Sequence, residues 1–97
     1  IDPYTWTFDH KEHTHLILYR GTDMIGYAHL QFWPNQKAAL RIFVIDEPYR
    51  HHGFGSQFLR LCEQWLKRQG IKSLHDEARP DVISFYHKNG YIDMPFE

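Results

Sequence analysis

Through the first half of the chain apolar residues recur at every second position or in short unbroken runs, and from residue 56 onward their spacing becomes helical. Tyr4, Trp6 and Phe8 alternate with Thr5 and Thr7, which predicts a strand over residues 4–9. "HLILYR" (15–20) predicts a second strand. Gly21, Thr22 and Asp23 form a turn, and "MIGYAHLQFW" (24–33) a third strand with a bulge at Gly26, stopped by Pro34 and Asn35. "AALRIFVI" (38–45) is dense in apolar and branched residues, the pattern of a central strand covered on both faces. From Ser56 to Gln69 an amphipathic helix follows, with Phe58, Leu59, Leu61, Cys62, Trp65 and Leu66 on its apolar side, a Glu63–Lys67 pair on the other, and Gly70 as its stop. Because a helix joins them, "SLHDEA" (73–78) is expected to pair parallel with 38–45. Pro80 opens a shorter helix with Val82, Phe85 and Tyr86 inward and Gly90 at its end, and "YIDMPF" closes the chain as a strand.

Composition narrows what such an α/β domain can be. Ninety-seven residues, 42% of them hydrophobic and 16% aromatic, suffice for one domain with one core over residues 1–97. Eleven Lys and Arg against twelve Asp and Glu leave no field to gather nucleic acid or an anionic membrane, and no apolar run is long enough to span a bilayer. The single cysteine, Cys62, cannot form an internal disulfide, which fits a reducing, cytoplasmic setting. A first residue of Ile rather than Met leads us to expect a piece of a longer protein.

The candidate chemistry lies in "PYRHHGFGSQFL" (48–59), the turn from the central strand into the long helix. Backbone N–H groups without intrahelical partners and the positive end of the helix dipole meet there, and Gly53, Gly55 and the Ser56 hydroxyl suit a phosphate. Glycine also serves such a turn merely by turning, so spacing alone leaves both readings open. His10, His13 and His15 (H-x-x-H-x-H) could approach a divalent metal on a hairpin, but no cysteine or carboxylate shell supports them and no metal is assigned.

The order strand, Arg50-His51-His52-Gly53-Phe54-Gly55, amphipathic helix resembles the acyl-CoA motif Arg/Gln-x-x-Gly-x-Gly/Ala of the GNAT family of N-acyltransferases. A second landmark of that family, an aromatic or Leu before Tyr and then a Gly-aromatic pair, is matched by Phe85-Tyr86 and Gly90-Tyr91. The resemblance covers roughly residues 15–97. It implies a mixed, mostly antiparallel sheet with one splayed parallel pair and two main helices, and acetyl-CoA as cosubstrate for an amine acceptor. It further implies that the backbone of Phe43, Val44 and Ile45 lines the pantetheine arm, Phe43 and Ile45 bonding its amides. The amides from Arg50 through His51, His52, Gly53, Phe54 and Gly55 to Ser56 would then hold the diphosphate. Tyr86 is the implied catalytic acid, protonating the thiolate that leaves when an amine attacks the acetyl carbonyl directly.

Two departures qualify the resemblance. Some branches place a basic Glu or His nine or eleven residues before the position of Arg50; here those positions hold Arg41 and Ala39, so a base must come from elsewhere, with Asp76 and Glu77 as candidates on opposite faces of their strand. An Arg41 facing the acceptor would favour an acidic one. The family's first strand and two helices have no counterpart before residue 15, which leads us to expect an open acceptor site, a fused N-terminal domain or a tendency to form homodimers through exposed sheet edges. A non-catalytic acyl-CoA-binding or interaction module stands as the alternative function.

Overall fold

The structure, a computed structural model, describes residues 7–8 and 10–94. The strand expected over 4–9 falls mostly outside them, and Thr7 and Phe8 lie in a single helical turn. Four strands form one sheet in the order β1-β2-β3-β4: β1 (His13–Arg20), β2 (Asp23–Trp33), β3 (Lys37–Ile45) and β4 (Ser73–Asp76). The first three are antiparallel neighbours, and β3 with β4 is the parallel pair that the intervening helix α1 (Phe54–Arg68) was expected to create. A second helix, α2 (Ile83–Lys88), follows β4.

Gly21, at φ +61°, makes the two-residue turn between β1 and β2. Near its start β2 carries the expected irregularity, one residue earlier than the sequence suggested: Leu18 opposes Gly26 and Tyr19 opposes Met24, so Ile25 is the extra residue. Gly26 itself is a close-packing position, because a Cβ there would lie 3.0 Å from Ile45 Cδ1 and 3.1 Å from Phe58 Cδ2. A second bulge falls in β3, where His29 opposes Ile42 and Leu30 opposes Leu40, leaving Arg41 unmatched.

Both helices pack on one face of the sheet. Ala28, Leu30, Ala38, Leu40 and Ile45 meet Phe58, Leu59, Cys62 and Leu66 of α1 and Tyr86 of α2 in one core cluster. On the opposite face Ile17, Ile42 and Val44 are exposed, so β3 is central in order but covered on both faces only in part: Ala38 to Leu40 and Ile45 are buried, whereas Arg41, Ile42 and Val44 are not. Leu61, expected on the apolar side of α1, is also exposed.

The C-terminal part departs furthest from the sequence reading. β4 ends at Asp76 rather than 78, α2 begins at Ile83 after a turn over 80–82, and residues 91–94 form no strand. Tyr91 is held instead by side-chain and loop contacts: its amide bonds Tyr86 O at 2.9 Å and its hydroxyl donates to Glu63 Oε2 at 2.6 Å. That bond takes Glu63 away from the pairing with Lys67 that the helical spacing suggested. No helix among the described residues is long and apolar enough to cross a membrane.

Candidate functional site

The site is built where β3 and β4 part company. Their pairing runs from Lys37↔Ser73 to Leu40↔Asp76 and stops. Beyond it β3 continues to Ile45 with no strand on that side among the described residues, and the bulge at Arg41 sits at the fork. Backbone direction over this stretch follows from one bond: Asp46 N–H reaches Ile25 O of β2 at 2.8 Å. Because successive peptide groups of a strand alternate in direction, Val44 also faces β2, while Phe43 and Ile45 present their N–H and C=O to the open side. The sequence reading placed the pantetheine contacts on those two residues.

Past Ile45 a short helical turn, Glu47–Tyr49, carries the chain to the loop. Arg50 Nε donates to Ile45 O at 2.8 Å, so the guanidinium ties the start of the loop to the end of the strand. This side-chain role is absent from the sequence argument, which credited Arg50 through its backbone alone. His51 (φ +65°) and Gly53 (φ +83°) both take left-handed conformations, and only the second does so without cost to a side chain. Both histidines of the loop, His51 and His52, are exposed.

Gly53 is the N-cap of α1, and no side chain caps this end. The first intrahelical bond is Gln57 N–H to Gly53 O at 3.1 Å, which leaves the amides of Phe54, Gly55 and Ser56 at the helix start directed out along its axis. A Cβ on Gly53 would meet nothing within 4 Å, whereas one on Gly55 would lie 3.2 Å from the Phe85 ring. The two glycines thus serve different ends: Gly53 keeps the approach to the amides open, and Gly55 lets α2 close against α1. Phe54 is braced by Tyr49, edge to face at 6.1 Å, and by the Arg20 guanidinium 5.5 Å from its ring.

Beneath the fork lie Phe85 and Tyr86 of α2. Phe85 packs 6.0 Å from the Phe43 ring, and Tyr86 is buried, edge to face with Phe85 and with Tyr91. Burial, reinforced by a hydrogen-bonding interaction with Asp76, pushes the Tyr86 phenol well above its ordinary value, so it is a proton carrier at neutral pH. Asp76, last residue of β4, is raised by burial, with the Tyr86 interaction pulling the other way. Its Oδ2 is buried and has no hydrogen-bond partner among the described residues. The alternation left open by the sequence is thereby resolved: Asp76 turns inward beside Tyr86 and Glu77 is exposed.

Other candidates separate from this site. Cys62 is buried in the core and its thiol is pushed up to about 12 by burial, which makes it filler rather than a nucleophile. His13 and His15 join His29 on the helix-free face of the sheet, with His13 Nδ1 2.8 Å from His29 Nε2 and His15 stacked on His29 at 4.5 Å. Among the described residues no group of three or more ligands could hold a metal ion. A groove of about 730 Å³ lies beyond β4, lined by Glu63, Lys67, Leu74, His75 and Tyr91 among others, and no residue of the 50–56 loop borders it.

A family model described as acetyltransferase (GNAT) family matches residues 1–91, nearly the whole chain. The chain belongs to this family. Members of the GNAT family draw their acyl group from acetyl-CoA. Among solved structures, YycN of Bacillus subtilis superposes with a TM-score of 0.81 at 22% identity, over 92% of this chain and 61% of that one. The ribosomal-protein-S18-alanine N-acetyltransferase of Escherichia coli gives 0.75 at 19% identity, over 88% and 56%. A Bacillus anthracis protein labelled a streptothricin acetyltransferase, solved with acetyl coenzyme A, gives 0.74 at 21%, over 89% and 51%. At these identities the likeness establishes the GNAT fold, and the chain spans between half and two thirds of the length of these proteins. No curated protein matches it.

Proposed function

We propose that this chain binds acetyl-CoA and transfers its acetyl group to a primary amine. The observation that carries the reading is the continuity of a strand edge that no strand among the described residues covers with an uncapped helix start: Phe43 and the Ile45 N–H face the open side of the fork, the Ile45 carbonyl being taken by Arg50, and α1 begins at Gly53 a few residues later. An extended arm bearing amides would complete the edge of β3, and a diphosphate would take the free N–H groups at the helix dipole's positive end. Arg50 through Ser56 would form that cradle and Phe43 and Ile45 would line the arm, whereas Val44, implied with them by the resemblance, turns its backbone to β2 and away from it; the thioester would come to rest near the fork above Tyr86.

The chemistry then needs little from the protein. A neutral amine attacks the carbonyl carbon, backbone donors of the strand stabilise the developing oxyanion, and Tyr86 gives its proton to the departing sulfur. A second reading, a binding module without turnover, draws on Ala39 and Arg41, since neither position supplies the base found there in other branches. Arg41, the exposed and unmatched residue of the β3 bulge at the fork, would favour an acceptor carrying an anionic group.

One assay divides the readings. Acetyl-CoA is offered with small diamines, amino sugars and short peptides bearing a free N-terminus, and released thiol is measured. Turnover with any of them supports the enzyme. Thermal stabilisation by CoA without turnover supports the module, and the absence of both removes the site.

A further inference from the structure

The reaction proposed above releases one proton at nitrogen and consumes one at sulfur, and Tyr86 alone supplies only the second. The inference that follows rests on that reading of the site. We propose that Asp76 is the residue that reloads Tyr86: its half-buried carboxylate takes up the proton lost by the acceptor nitrogen and passes it through the phenol to the departing thiolate.

Three observations converge on Asp76. It is the last residue of β4 paired with β3, so it stands at the point where the fork opens. Its side chain interacts with Tyr86, the one buried phenol beneath that point with a role in the proposed transfer. Its Oδ2 is buried with no partner among the described residues, a costly arrangement for an ionised carboxylate, and such a group at the mouth of a fork is a candidate for work with protons. The groups around it are few. Tyr86 faces it from α2, Glu77 follows it in the chain, and Tyr91, hydrogen-bonded to Glu63 of α1, senses its charge from behind Tyr86. No cation is among these groups, and what favours the ionised carboxylate against its burial is hydrogen bonding from the Tyr86 hydroxyl and the Glu77 backbone.

The proton balance closes within the pair. With Asp76 ionised, the Tyr86 hydroxyl turns toward the carboxylate. Once the C–N bond has formed, the tetrahedral intermediate gives its N–H proton to Asp76. The neutral carboxyl then donates to the phenolic oxygen, which frees the Tyr86 O–H to point at sulfur. As the C–S bond breaks, the phenol proton moves to the thiolate and the Asp76 proton moves to the phenol. Amide and free thiol leave, and the pair returns to its starting state with no proton exchanged with solvent.

The test uses the full chain with Asp76→Asn, Asp76→Glu, Tyr86→Phe and the double variant Asp76→Asn/Tyr86→Phe, read by thiol release from acetyl-CoA with an amine that the wild type accepts. Asp76→Asn and Tyr86→Phe should each lower kcat by about 100-fold, and the double variant little further, because the two act as one unit. Asp76→Asn should also remove the acidic limb of the kcat–pH profile, and Asp76→Glu should restore part of the rate. CoA binding, followed by thermal shift, should stay within twofold of wild type for all four. Asp76→Asn with wild-type kcat beside a crippled Tyr86→Phe overturns the role of Asp76 and leaves the acetyltransferase reading standing. A slow Asp76→Asn that keeps the acidic limb also overturns it, as a merely structural effect. A wild type that turns over no amine removes both.

Discussion

Gly53 and Gly55 stand two residues apart, yet physics asks different things of them. At φ +83° a side chain on Gly53 would strain the backbone while touching nothing, so Gly53→Ala should cost about 1–2 kcal/mol. At Gly55 the backbone is helical and the obstacle is the Phe85 ring 3.2 Å from the new Cβ, an overpacking cost of about 1–3 kcal/mol. Urea unfolding of the single variants and of each combined with Phe85→Leu separates the causes. Shortening Phe85 should recover most of the loss from Gly55→Ala and none of that from Gly53→Ala; equal recovery in both would show that the loop conformation is not what demands Gly53. Arg50 teaches a related lesson about what a motif conveys. Its place in the Arg-x-x-Gly-x-Gly spacing was readable, but its bond to the Ile45 carbonyl depends on how the 47–49 turn folds back, which no spacing encodes.

Elements were legible in proportion to how far their own pattern determined them. The alternation in β1 and β2 and the helical period of α1 are local and strong, and their limits agree with the structure to within two residues. Residues 91–94 have the composition of a strand, but a strand needs a neighbour, and the aromatic contact with Tyr86 and the bond to Glu63 engage Tyr91 instead. The histidines of β1 and β2 were likewise visible only in part. His10, His13 and His15 stand out in sequence, while His29 joins them solely through the register His15↔His29. Burial, then the charges of His15, His13 and Arg41, lower His29 to about 4 from an ordinary 6.5. Between those values the unfolded chain binds the proton that the folded chain refuses, so the stability is full above pH 6.5 and is lost as pH falls toward 4. The difference is worth about 3 kcal/mol. Equilibrium unfolding across that range should show the decline, and His29→Gln should flatten it. An unchanged slope in the variant would assign the acid sensitivity to other groups.

At the scale of the whole molecule, one departure from regularity creates the site. Had β4 paired along the full length of β3, that strand would have no free edge; here pairing ends after four residue pairs, and α1 starts where the uncovered part of the strand leads. The split was foreseeable from resemblance and not from periodicity, because residues 41–45 read as strand whether or not a neighbour accompanies them. Its two halves make separable demands on a ligand: the edge of β3 recognises amides, and the helix start recognises negative charge. CoA at 100 times its dissociation constant should stabilise the fold by about 2.7 kcal/mol, which for a domain near 100 residues raises Tm by roughly 10–20 °C. Pantetheine carries the same arm without the diphosphate and, at equal concentration, should raise Tm by a small fraction of that. The CoA shift should also shrink as salt is added, since the amides and dipole at Gly53–Ser56 lie at the surface where counterions screen them. Pantetheine equal to CoA, or a CoA shift indifferent to ionic strength, would move the source of affinity from the helix start to the strand edge and strip the glycine loop of its assigned part.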